Sequence, residues 1–410
     1  KCVVTAMSVM RMVELGQVRL NDPVAKYIPE FGSNGKDQIT IRQLATHFSG
    51  LREDLDLRSR WQGKDAALRM AHDEAPVAPP GSQFRYSDVN YIVLGELVER
   101  VSGISLDGYA DAHVFKPLGM TRTRFLPPKE WLGAIAPTEY DERNVMLRGV
   151  VHDPTARRMG GVAGHAGLFS TADDIARFAQ AMLGGKTIIS EASVQKMTTP
   201  QQPPTATVLR GIGWDLDSPF SSNRGELLPL GSYGHTGFTG TSLWIDPVTN
   251  TYIVLLTNGV HPKLKPGGAV VALRVQVANA VAAALKLSVS EKEKVRLASV
   301  TGYNEAIVGA RRVQSRNGQV KTGLDVLAES NFGTLSGELG TSSAPKRRRI
   351  GLVTNQTGLD AQGRRAIDLL AKAPGVELAA IFSPEHGVTG TLDTTDIGNT
   401  KDQATGVPVY

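Results

Sequence analysis

The sequence predicts an α+β architecture up to about Leu287 and an α/β unit at its end, on three observations. Residues 240–258 read as two strands, "GTSLWID" and "TYIVLLTN", joined by the turn "PVTN", and so short a connection makes them antiparallel. Helical periodicity runs over Asn90–Val101, Ala172–Met182 and Ala269–Leu285. Beyond these, "RRIGLVT", "GRRAIDLLAKAPG" and "VELAAIF" spell strand, helix, strand, one βαβ unit with parallel strands. A charged stretch without clear periodicity, 288–319, separates the two grammars, so domains are expected at 1–287 and 320–410 with a connector between.

The first element, "KCVVTAMSVMRMVELG", is apolar at Val3, Val4, Ala6, Met7, Val9, Met10, Met12, Val13 and Leu15, and Gly16 follows. It reads as a core helix that stops at a glycine C-cap. No capping residue precedes it, and "ATGVPVY" at the other end stops within an extended pattern, so chain is expected on both sides of 1–410. A lysine at the head of a buried helix is expected to have a lowered pKa, because burial and the helix dipole both disfavour its charge.

Composition narrows the function. With 41% apolar and 21% charged residues the chain is an ordinary globular protein and not a disordered one. Its net charge of +5 is mild, and its one basic run, Lys346–Arg349, leads into a strand, so no nucleic-acid partner is expected. The single cysteine, Cys2, excludes an internal disulfide and a cysteine zinc site. Gly268–Leu287, the most apolar long stretch, is interrupted by Arg274, Gln276 and Asn279 and reads as an amphipathic helix, so no membrane segment is expected.

Three segments of the first region carry chemistry. "RYSDVNY" offers Tyr86 and then Asp88, which could cap the helix behind it. "YGHTGFTGTSLWID" sets a cation-capable His235, the Thr236 hydroxyl and a permissive Gly237 before a strand. "VHDPTARRMGGVAGHAGLFST" adds His152, Asp153 and His165 without metal-ligand spacing, either as a solvated loop rim or as the border of a pocket that reads substrate.

Together with "ITIRQLATHFSGLRED" and "YIVLLTNGVHP", these segments resemble the serine β-lactamase and penicillin-recognising hydrolase family, whose boxes are S-x-x-K, Tyr or Ser then x-Asn, and Lys/His-Thr-Gly. The resemblance implies a β-lactamase/transpeptidase-like fold, an antiparallel sheet flanked by helices plus a helical lobe. It makes Lys1 the lysine of the first box, with the nucleophilic serine three residues before it. Lys1 and Tyr86 then act as the general base pair, and His235 to Gly237 line the substrate strand. The backbone N–H of Phe238 or Thr239 completes an oxyanion hole. Asp88, Thr236 and His165 are expected to contact substrate. No cofactor is implied. Asp88 stands where the family has Asn, and His235 where β-lactamases have Lys, which directs the expectation to esterases, peptidases and amidases. Ser193–Lys196, Ser343–Lys346 and Lys321–Gly323 match the boxes literally but fall in the wrong order or domain.

In the second region "NQTG" (355–358, from Asn355) and "SPEHG" (383–387) follow adjacent parallel strands, the usual ligand position of an open α/β sheet. "KTGLDVL", "IGLVTNQTGLDAQGR" and "AIFSPEHGVTG" resemble the exo-β-N-acetylmuramidase family, once catalogued as a domain of unknown function. The resemblance implies an incomplete Rossmann-like domain with Glu385 as acid/base and His386 and Asn355 beside it. Together the two resemblances imply a hydrolase of peptidoglycan fragments, periplasmic or extracellular because its substrate is. The alternatives are a broad-range esterase of small esters and amides with a glycan-binding second domain, and an inactive wall-binding protein.

Overall fold

A computed structural model describes residues 1–184, 188–264, 268–285, 322–336, 347–383, 387–389 and 398–410. The chain divides into two compact units, Lys1–Ile307 and Val308–Tyr410. The connector expected over 288–319 lies outside the described residues.

The first unit carries a five-stranded antiparallel sheet in sequential order. Its strands are β1 (Leu209–Arg210), β2 (Asp215–Asp217), β3 (Tyr233–Thr236), β4 (Thr241–Asp246) and β5 (Thr251–Leu256). The expected hairpin is β4–β5, in register from Thr241↔Leu256 to Asp246↔Thr251. Asp246 fixes its turn by accepting from the Val248 N–H at 3.0 Å and the Thr249 hydroxyl at 2.6 Å. Apolar side chains from the sheet (Leu216, Tyr233, Ile245) and Trp214 just before β2 meet those of the surrounding helices (Met7, Val9, Met10, Leu94, Phe178) in one continuous core.

The opening helix is buried as its pattern predicts, with Met7, Val9, Met10 and Met12 all in the core. Its first turn is wider than an α-helix: Cys2–Ala6 winds as a π-type turn, the Ala6 N–H reaching the Lys1 carbonyl at 3.0 Å, before Met7–Glu14 continues as α-helix. It ends in a Schellman motif, with Gly16 at φ +71° and the Gln17 N–H on the Met12 carbonyl at 2.9 Å.

The helix Ala269–Ala284 departs from the amphipathic reading. Arg274 is buried, while Val271 and Leu273 are exposed. The reason lies in what faces it: Arg274 Nη2 donates to the carbonyls of Gly237 and Thr241, each at 2.9 Å, so the polar position turns inward toward main-chain acceptors.

The second unit holds a mixed sheet of β6 (Arg348–Val353), β7 (Val376–Phe382), β8 (Thr400–Lys401) and β9 (Pro408–Val409), in the order β6-β7-β9-β8. β6, β7 and β9 are parallel, and β8 runs antiparallel to β9. The helix between β6 and β7 spans only Ala366–Ala371, shorter than its pattern, and its Ile367 and Leu370 pack with Ile381 in a small core.

One close approach governs the first unit. Gly164 lies against the helix Asp88–Ser102, and a Cβ there would sit 1.8 Å from the Tyr91 carbonyl oxygen. Gly164→Ala is therefore expected to destabilise the protein by about 2–3 kcal/mol, because backbone and not a flexible side chain must yield. A thermal melt of the variant beside the wild type checks this.

Candidate active site

Lys1, Tyr86, Asp88, His165 and the run from His235 to Thr239 all line one cavity of about 590 Å³ in the first unit. Three local structures bring them there.

The buried opening helix delivers Lys1, and Thr5 ties that helix to the loop holding His165 by donating to the Gly164 carbonyl at 2.6 Å. The Tyr86 segment is clamped along its backbone: Arg85 N–H donates to the His47 carbonyl at 2.9 Å, Ser87 N–H to His47 Nδ1 at 3.0 Å, and Asp88 N–H to the Glu53 carbonyl at 2.6 Å. Ser87, not Asp88, caps the helix Asp88–Ser102, accepting from the Asn90 N–H. That frees the Asp88 carboxylate, which forms an ion pair with the Lys1 ammonium. On the third side, β3 pairs with β4 through His235↔Leu243 and Thr236↔Ser242. The turn behind it is held by the Gly237 N–H on the Thr241 carbonyl at 2.7 Å and by Arg274. Among the described residues the N–H groups of Phe238 and Thr239 donate to no backbone carbonyl, and the Phe238 ring is 74% exposed at the rim.

With an ammonium, a phenol and a carboxylate converging beside a strand edge, the cavity can hold and move a proton next to an extended ligand. Residues 3–277 match the Beta-lactamase family model. The chain belongs to the β-lactamase family. A protein of Salmonella agona (strain SL483) named "Putative D-alanyl-D-alanine carboxypeptidase" is 34% identical over 306 residues, which cover 65% of this chain and 70% of that one. The octameric penicillin-binding protein homologue from Pyrococcus abyssi has the same fold at 22% identity, with a TM-score of 0.52 over 74% of this chain and 67% of that one. Simvastatin synthase (LovD) from Aspergillus terreus aligns at 19% identity and a TM-score of 0.55, over 69% and 82% of the two chains. Residues 350–410 match a second model, the N-terminal part of the exo-beta-N-acetylmuramidase NamZ.

The electrostatics of this β-lactamase-family cavity correct the expectation for Lys1. Burial opposes the charge of Lys1, but Tyr86 and Asp88 outweigh it and hold the lysine above its ordinary pKa, so Lys1 is an ammonium and not a poised neutral amine. The counter-ion comes from the start of a different helix, Asp88–Ser102. His235 is not a cation either. Burial, with the charges of Arg210 and Lys1, pushes its imidazole well below the usual range. Its Nδ1 lies 2.7 Å from the Thr236 carbonyl, an acceptor only, so the proton sits on Nδ1 and Nε2 carries a lone pair. Burial, reinforced by the Asp88 charge, raises the Tyr86 phenol against the opposing effect of Lys1.

The glycine-rich loop borders the cavity. His165 Nε2 lies 2.9 Å from Asp153 Oδ1, His152 stacks on the Phe238 ring, and all three loop residues are in the lining. Asp88, Asp153 and His165 place ligand-capable atoms within 4.8 Å of one another, a donor set that could take a divalent ion, although the Lys1 ammonium already compensates Asp88 there.

Sequence reasoning passed over His47. It is buried at φ +63°, stacks on the Tyr86 ring with centroids 4.4 Å apart, and is kept neutral by burial. Nothing in "ATHFSG" marks it, because its part is set by a left-handed backbone that few non-glycine residues adopt.

In the second unit Asn355 follows β6 and closes an Asx turn, its Oδ1 accepting from the Thr357 N–H at 3.0 Å and hydroxyl at 2.7 Å. Thr354 N–H meets the Phe382 carbonyl at 3.0 Å, so the carboxyl ends of β6 and β7 lie together. Glu385 and His386 lie outside the described residues.

Asp88→Asn removes a charge that raises both Lys1 and Tyr86. Whichever of the two must be deprotonated for activity, its pKa falls. The acid limb of the kcat/KM profile is expected to move to lower pH by on the order of one unit, read from a pH–rate series on the full-length protein.

Proposed function

We propose that the protein is a cell-wall hydrolase in which the β-lactamase-family unit cleaves an amide or peptide bond of peptidoglycan fragments by acyl transfer and the second unit removes N-acetylmuramic acid. The observation that carries the first half is the Lys1 ammonium, paired with Asp88 and 4.5 Å from the centroid of the Tyr86 ring, in a cavity lined by β3.

In this reading the nucleophile is a serine three residues before Lys1. Its hydroxyl attacks the substrate carbonyl while its proton passes to Tyr86 in the phenolate form that the Lys1 ammonium stabilises, and the phenol so formed returns the proton to the leaving amine. The ammonium of Lys1 keeps Tyr86 oriented and favours its anionic form as the proton moves. The N–H groups of Phe238 or Thr239 receive the developing oxyanion. His235 and Thr236 present the strand edge, with His235 Nε2 as an acceptor, while His165 is held by Asp153 at the cavity wall. Water then resolves the acyl-enzyme.

The second half rests on the sequence match over 350–410, and pairing the two activities on one muropeptide is an argument from domain association. Glu385 is the proposed acid/base, with Asn355 and His386 beside it. On such a muropeptide the first unit would cut a peptide bond or the lactoyl–alanine amide and the second the terminal sugar, and this substrate puts the protein in the periplasm or outside the cell.

Intact-mass analysis of the full-length protein after fluorophosphonate treatment is expected to show one adduct, mapped three residues before Lys1. Lys1→Ala should reduce turnover of N-acetylmuramoyl-peptides by roughly 10²–10⁴-fold. Glu385→Gln should abolish release of N-acetylmuramic acid and leave amide cleavage intact. No adduct on a folded protein would favour a wall-binding role instead.

A further inference from the structure

The charges around Lys1 are lopsided. Asp88 and Asp153 both line the cavity, with ligand-capable atoms within 4.8 Å of each other and of His165. Behind them lies Asp54, which accepts from the Thr155 hydroxyl and the Leu55 N–H, each at 2.8 Å. Burial, together with the negative charges of Asp88 and Asp153, raises the Asp54 carboxyl above the usual range, so the acidic field is felt beyond the cavity wall.

The cations that could offset this field are already engaged. Lys1 is the one lysine or arginine among the described lining residues, and its ammonium rests on Asp88. His165 is used by Asp153, and His152 lies 2.9 Å from Glu139. His235 is neutral and points its Nδ1–H at the Thr236 carbonyl. Arg274, which reaches the turn after β3, spends its Nη2 on two main-chain carbonyls, and the buried Arg210 pairs with Asp215. A carboxylate carried into this cavity would meet a lining whose one ammonium offsets Asp88 and leaves the charge of Asp153, with no unengaged cation to receive it.

We infer that the cavity selects by charge, accepting substrates whose leaving group is uncharged beside the scissile bond and turning away those with a free carboxylate there. A leaving group with its carboxyl in amide or ester linkage, such as an internal residue of a peptide stem, satisfies this condition. A terminal amino acid does not. Asp88, at the position where the resemblance expects an asparagine, and Asp153 are the specificity-determining residues.

The inference rests on the acyl-transfer reading. The probes are methyl 3-acetoxybenzoate and 3-acetoxybenzoate, which transfer the same acetyl group and differ in the leaving phenol by one charge. The ratio of their kcat/KM values on the full-length protein is expected to favour the methyl ester by tenfold or more at low salt. It should narrow as salt rises. The chain's net charge of +5 would steer the anion in, so a preference for the neutral ester reports the local field. Asp153→Asn keeps a side chain able to cap the helix Pro154–Arg158 and should cut the ratio at least threefold, whatever it does to the absolute rates. A ratio near one, or a ratio unchanged in Asp153→Asn, would overturn the inference. Failure of the folded protein to hydrolyse either ester would bring down the acyl-transfer reading, and this inference with it.

Discussion

The first unit is organised around one buried charge. Lys1 heads a helix most of whose other residues are buried, so its ammonium is drawn out of water by the packing of its own neighbours. An unpaired cation in that position would cost several kcal/mol, and Asp88 offsets the cost from 87 residues away in sequence. The pair requires the start of one helix to meet the start of another. That meeting depends in turn on Ser87 taking over the capping role and on His47 and Glu53 fixing the backbone before it. Geometry and charge are thus determined together: the contacts that place Tyr86 are those that release Asp88 for Lys1.

The neutral histidines belong to the same balance. His47 and His235 both lie against Tyr86, with ring centroids 4.4 and 6.1 Å from it, and burial beside Lys1 and Arg210 keeps both uncharged. Neutral imidazoles next to an ammonium avoid adding like charges to the cavity and can accept, His47 Nδ1 from the Ser87 N–H and His235 through its open Nε2. This arrangement differs from a lysine in the third box, which would bring a second cation to the strand edge.

Much of this was legible in the residues themselves. Turn chemistry in "PVTN" located the β4–β5 hairpin, apolar periodicity located the long helices to within a few positions, and the strand-helix-strand pattern identified the parallel pair of the second unit. Which polar residues share a cavity was legible only through resemblance, since no local pattern links Lys1 to His235. What could not be read were features set by tertiary surroundings. The direction of the Lys1 shift depends on a partner remote in sequence. Arg274 looked like a solvent position because periodicity cannot see that carbonyls, not side chains, would face it. His47 acts through backbone placement, and its sequence neighbours carry no trace of it; the loop of Asp153 could be picked out as a possible pocket border, but not the closeness of Asp153 to Asp88.

The Arg274 clamp has a consequence for how the chain can be divided. The turn that lines the cavity between β3 and β4 is held by a guanidinium from the last helix described before residue 286. The autonomous unit therefore extends past the last strand of its sheet, through at least Arg274. A protease or a designed truncation that severs the chain after β5 would leave every residue of the three boxes present while removing the brace from the third. Excision of the second unit has to begin beyond this helix if the first is to keep its shape.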